Sequence, residues 1–168
     1  MPDPETTKKA KEDLREGKSP STAAGEFVHE EIEHVREGKH GARSPQQAIA
    51  IGLSKARRAG IPLKPPSKKS SSSSPTVRKR AECDYEKGQS GEGKKPSRRR
   101  SQARERALKK EPKSTASRAA LSKQTRAAAK KRTASSRKSA AKKAAQTRGS
   151  TGRRATAKKA ARTRTRTR

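Results

Sequence analysis

The stretch SPQQAIAIGLSKARRAGIP, residues 44–62, decides how this chain folds. Ser44 offers a capping hydroxyl, Pro45 has the fixed φ that suits a first helical position, and Gln47 stands three residues after the cap. Ile49, Gly52, Leu53 and Ala56 then recur at helical spacing and form one apolar stripe. Gly60 followed by Ile61-Pro62 reads as a left-handed stop with a proline just beyond it, which ends the helix near Ala59.

Upstream, Ala24, Val28, Ile32 and Val35 make a second stripe over about residues 22–37, with Phe27 at its edge. Glu26, Glu30 and Glu33 fall opposite, which predicts an acidic outer face. Two facing stripes across a short polar loop predict a helical hairpin over 19–64. At about 45 residues without metal or disulfide, such a unit is near the lower limit for folding alone, and self-association would close the deficit. Ile51 points away from the Ile49 stripe and sits among Lys55 and Arg58, so these three are the expected contact of a homodimer formed through the hairpin.

Outside the hairpin the composition changes. The chain is 38% charged, 25% hydrophobic and 1% aromatic, which places most of it among sequences unable to bury enough apolar surface to fold. The expected fold class is therefore a mostly disordered chain with a small all-α helical hairpin near the N-terminus, and tail helices that form on binding nucleic acid. Residues 1–18 read as a flexible N-terminus and 65–100 as a disordered Ser/Pro/Gly linker, which includes the glycine-rich run Gly88-Gln89-Ser90-Gly91-Glu92-Gly93. Residues 101–168 read as a basic Ala/Lys/Arg tail whose like charges repel.

Charge follows the same division. Residues 1–64 hold twelve Lys/Arg against ten Asp/Glu, whereas 65–168 hold thirty-five against six, and no acidic residue follows Glu111. A stretch of that kind seeks a polyanion. The candidate phosphate contacts are Arg98, Arg99, Arg100, Lys130, Lys131, Arg132, Arg137, Lys138, Lys142, Lys143, Arg148, Arg153, Arg154, Lys158, Lys159, Arg162, Arg164, Arg166 and Arg168. Sequence readout requires a rigid element against base edges and single-strand binding requires aromatic platforms. Neither is evident, so sequence-independent binding to duplex is expected, DNA before RNA. The basic segments carry alanine and threonine where a membrane-surface helix would carry Leu, Phe or Trp, and this argues against a membrane partner.

Catalytic and metal chemistry find no sequence motif. His29 and His34 are five residues apart, about 140° around a helix, so they do not complete a His-Glu-x-x-His zinc pair, and His40 lies alone in the loop after Gly38. The lone Cys83 can form neither an internal disulfide nor a Cys-based zinc site. No enzyme activity, metal or cofactor is expected, and no secretory signal or membrane span is evident, which predicts a cytoplasmic, nucleoid-associated protein.

Over residues 28–59 the chain resembles a family of short, uncharacterised bacterial proteins, some labelled as plasmid-stabilisation proteins. The shared words are Lys39-His40-Gly41 and Gln47-Ala48-Ile49-Ala50-Ile51, followed by Leu53-Ser54 and Ala56. The loop between the two halves is only Ala42-Arg43 here, shorter than in those relatives. The Lys-Lys-Ala-Ala tail resembles, by composition only, the C-terminal regions of linker histones and bacterial histone-like nucleoid proteins. The first resemblance implies a bacterial origin and carries no established activity; it is the charge that leads to the expectation of a histone-like DNA-binding protein. An RNA-binding or ribosome-associated factor is one alternative, and a protein-interaction module in plasmid maintenance with a basic tether is another.

Overall fold

The computed structural model describes residues 3–67, 74–91, 97–146, 149 and 152. The hairpin is present as two packed helices, α2 (Pro20–Arg36) and α3 (Pro45–Arg58), but it does not stand alone. Helix α1 (Pro4–Arg15) packs on α2, and α4 (Pro75–Ser90) packs on α3. Downstream come α5 (Arg98–Lys109), a single 3-10 turn Ser114–Ala116, α6 (Arg118–Lys130) and a helical run over 134–146. The expectation of a mostly disordered chain is thus overturned: among the described residues the protein is predominantly helical.

The physical reason is local. Four helices begin the same way, with Asp3-Pro4, Ser19-Pro20, Ser44-Pro45 and Ser74-Pro75 as cap and first helical residue. The Asp3 carboxylate accepts from the Glu5 N–H at 3.0 Å, and the Ser44 and Ser74 hydroxyls accept from Gln47 and Val77, each at 3.3 Å. Gly17, Gly38 and Gly60 follow the first three helices with φ of 76°, 79° and 86°, the left-handed region that glycine enters without a Cβ penalty. Downstream, Ser97 caps α5 and Ser117 accepts from the Ala120 N–H at 3.2 Å. There the high helix propensity of Ala, Arg, Lys and Gln outweighs the mutual repulsion of the cations.

The core is built largely of small residues. Ala10, Ala23, Ala24, Phe27, Ala56 and Ile61 form one buried cluster, with Leu14, Leu53 and Leu63 against it. Val35, Ala42, Ala48 and Ala116 form a second, with Ile32 alongside. Gly52 lets α3 lie directly on α2, since a Cβ there would stand 2.7 Å from the Val28 Cα. Phe27 and Ile61 are the largest apolar side chains that are wholly enclosed.

Two segments read as linker or tail are fastened to the hairpin. On α4, the Ser54 hydroxyl donates to Asp84 at 2.6 Å, Arg58 pairs with the same carboxylate at 3.5 Å, and Gly88 abuts the Arg57 carbonyl. The glycine-rich run therefore starts inside a helix, and Gly91 closes it at φ 68°. Beyond α5, the Gly41 N–H donates to the Leu108 carbonyl at 2.9 Å and Ala42 to Pro112 at 3.1 Å. The Thr115 hydroxyl donates to the Ala42 carbonyl at 2.9 Å, and Arg36 Nε to the Ala116 carbonyl at 3.0 Å. A Cβ on Gly41 would overlap the Glu111 carbonyl, so Gly41→Ala should release this segment. The expected result is a destabilisation of about 1–3 kcal/mol, with faster amide exchange over 108–116.

The chain divides into two units, Met1–Gln124 and Thr125–Arg168. The first contains both apolar clusters. In the second, no described residue is buried, and Thr133 caps the 134–146 helix through a 3.2 Å bond from the Ser136 N–H. Among the described residues, no helix is long and apolar enough to cross a membrane.

Candidate functional site

A compact polar cluster lies where α2, the loop after it and α3 meet. It is built from the end of α2 upward. Gly38 N–H donates to the Val35 carbonyl at 3.2 Å and Lys39 N–H to the His34 carbonyl at 3.0 Å, the paired bonds of a glycine-terminated helix. That turn ties residue 39 to residue 34 and so delivers His40 beside His34, with ring centres 6.1 Å apart and planes at 81°. Glu31 lies on the same face of α2 as His34, three residues earlier. One ligand-type atom each from Glu31, His34 and His40 lie within 4.8 Å of one another.

The acidic face expected to point outward is therefore partly internal. Glu31 is wholly buried and Glu30 nearly so, with only Glu26 and Glu33 of the expected trio partly exposed. The reason is that a hairpin has one inner face, whereas here α1 supplies a second wall. The Asp3 N–H donates to Glu30 Oε2 at 3.3 Å from that side. Lys55, placed by sequence in an outward contact, instead turns into the cluster, 2.7 Å from Glu31 Oε2 and 3.3 Å from Glu30 Oε1.

Glu31 is the focus of the charge balance. Its two oxygens face different partners, Oε2 the Lys55 ammonium and Oε1 the His40 Nε2 at 3.2 Å. Both contacts are at ion-pair distance, yet neither oxygen receives a hydrogen bond of proper angle. The distances are those of charge pairing, and the angles leave acceptor capacity unspent. Glu30, Glu31 and Lys55 together carry one net negative charge in a site with little solvent.

The two imidazoles differ. Burial, and after it the Lys55 and Lys39 cations, push the His34 ring below its ordinary value of 6.5 and so favour its neutral form. His40 Nδ1 lies 3.1 Å from the Gly41 carbonyl, which can only accept, so Nδ1 carries the proton. On a neutral His40 the other nitrogen, Nε2, then presents its lone pair to Glu31 Oε1. In that form two acceptors face each other at 3.2 Å, which a shared cation would relieve, whereas a proton on Nε2 makes the same contact an ion pair.

A second feature is the basic surface. Arg98, Arg99 and Arg100 form the exposed first turn of α5; Lys130 ends α6, with Lys131 and Arg132 just beyond it. Arg137, Lys138, Lys142 and Lys143 are exposed on the 134–146 helix. Arg148, Arg153, Arg154, Lys158, Lys159, Arg162, Arg164, Arg166 and Arg168 lie outside the described residues. Of the trio expected to meet a partner, Lys55 is enclosed, Arg58 pairs with Asp84, and Ile51 is half-buried on the helix that α4 covers.

Sequence reading missed the Glu31, His34 and His40 cluster because it compared His34 with His29 around one helix. The spacing Glu31-x-x-His34 followed by a Gly38 turn and His40 is the signal that would have found it. Comparison with protein families, with curated proteins and with solved structures finds no match for this chain.

Proposed function

We propose that this chain binds duplex nucleic acid, DNA in the first instance, as a nucleoid-associated protein that makes sequence-independent phosphate contacts. The observation that carries the reading is the basic region after residue 97. Between Arg98 and Gln146 there are eighteen Lys/Arg and two acidic residues, and all eighteen cations are exposed. The sequence adds nine more beyond Gln146.

Helical form strengthens the case that composition began. The twelve residues of α5 carry six cations and Glu105 over about 18 Å, or about one net positive charge per 3.6 Å. Phosphates along one strand of duplex are spaced about 3.4 Å apart. A helix whose long basic side chains already project into solvent loses less freedom on binding than an extended chain would. Lys109 is paired with Glu105 at 2.7 Å, a surface interaction of small worth that phosphate would readily replace.

The test is a salt titration of affinity with two duplexes of unrelated sequence. The logarithm of affinity should fall linearly with the logarithm of salt, with the same line for both duplexes. Changing Arg98, Arg99 and Arg100 together to serine should flatten the slope by up to about 2.7, at about 0.9 for each phosphate no longer neutralised. Affinity that ignores salt, or that differs strongly between the two sequences, would refute the reading.

A further inference from the structure

We infer that Glu31, His34 and His40 form a binding site for one divalent transition ion of the zinc class, with Lys55 as a positioning residue. The donor set, two imidazoles and a carboxylate, is one that zinc accepts, leaving a further position for water. Glu31 Oε1 and His40 Nε2 are 3.2 Å apart. Two ligands of a tetrahedral ion at ordinary bond lengths stand about 3.4 Å apart. That edge of the site is already at ligand spacing, and His34 is the ligand that closes in.

Two independent observations point to a cation at this place. Glu31 is wholly buried, and neither of its oxygens accepts a hydrogen bond. His40 gives its Nδ1 proton to the Gly41 carbonyl and directs Nε2 at Glu31 Oε1, 3.2 Å away. This is the arrangement in which metal-bound histidines are held, the outer nitrogen tied to a backbone carbonyl and the inner one left to the ion.

Lys55 does not compete for the position, because it lies on the other oxygen. It faces Glu31 Oε2 and donates to Glu30 Oε1 at 3.3 Å, so Oε1 stays available while the carboxylate is held in orientation. A cleft of about 220 Å³ between α1 and α2 lies beside the cluster, with Glu30 and His34 in its lining. Its rim includes Glu5, Glu26 and Glu33, which gives it a local negative field although the chain as a whole is strongly basic.

The experiment is calorimetric titration of the full chain, free of nucleic acid, with zinc chloride at pH 7.5, alongside His40→Gln, His29→Gln and Cys83→Ser. One ion per chain should bind, with a melting temperature that rises with zinc concentration. His40→Gln should lose at least tenfold in affinity, while His29→Gln and Cys83→Ser bind as the unaltered protein does. No binding, binding undiminished in His40→Gln, or binding abolished by Cys83→Ser overturns the assignment. Should His40→Gln fail to fold, the imidazole resonances of the unaltered protein decide. Zinc must then shift those of His34 and His40 and leave His29 in place; a shift at His29 alone, or an imidazolium His40 indifferent to zinc, overturns it.

Discussion

Phe27→Ala is expected to destabilise the Met1–Gln124 unit by about 3–5 kcal/mol. Phe27 is the chain's only phenylalanine, it is fully enclosed, and all of its buried cluster partners except Ile61 are alanines, namely Ala10, Ala23, Ala24 and Ala56. In a core of small side chains on closely packed helices, one large ring holds an unusual share of the apolar volume. The alanines have no rotamers with which to fill the space it leaves, which places any relaxation on Ile61 and the leucines at the edge of the cluster, so a cavity term adds to the transfer term. Domains have stabilities of about 5–15 kcal/mol, so the urea midpoint should fall steeply, and a domain at the lower end of that range would be left barely folded. Phe27→Leu, nearer in volume, should cost under about 1.5 kcal/mol. Because α1 contributes Ala10 and Leu14 to the same cluster, amide exchange in α1 should accelerate in step with the hairpin. Equal urea midpoints for Phe27→Ala and the unaltered chain would show that the cluster is not what holds α1 and the hairpin together.

The elements that sequence reading recovers are those with an apolar stripe. Helix α3 begins at the Ser44-Pro45 pair and ends before Gly60 as read, and α2, expected over about 22–37, runs from Pro20 to Arg36. What escapes are helices that bury little: Ala10 is the one buried residue of α1, Ala81 that of α4, and α5 has none. Periodicity fails for such helices because charged residues occupy most positions. The punctuation remained readable, since Asp3-Pro4 and Ser74-Pro75 repeat the cap-and-proline start that marks α3, and Gly17 repeats its stop. The docking of residues 108–116 could not be read at all. It rests on backbone bonds to Gly41 and Ala42 and on the buried Ala116, none of which leaves a pattern in side-chain type.

The polar cluster was partly hidden for a topological reason. Counting faces on a two-helix hairpin sends every residue opposite the stripe to solvent, and this assigned Glu30 and Lys55 outward. A third helix and a returning loop convert that surface into an interior, and the charges must then find one another. Glu31, in neither the stripe nor the acidic trio, is the residue on which they converge.

Lys55→Met is the substitution that measures this convergence. Methionine keeps most of the unbranched stem and removes only the ammonium, so packing changes little while Glu30 and Glu31 lose their common partner. Taking one member from a buried ion pair costs about 3–5 kcal/mol, because the remaining charge is neither solvated nor compensated. Adding Glu31→Gln to Lys55→Met should recover part of the deficit, since the second change removes the stranded charge. A double-mutant cycle should accordingly give a coupling of about 1–3 kcal/mol, well above the 0.3–0.5 kcal/mol seen for independent sites. If the two effects simply add, then Lys55 acts through its hydrocarbon stem. The carboxylate oxygens of Glu31 would then have to be neutralised by a proton rather than by a cation.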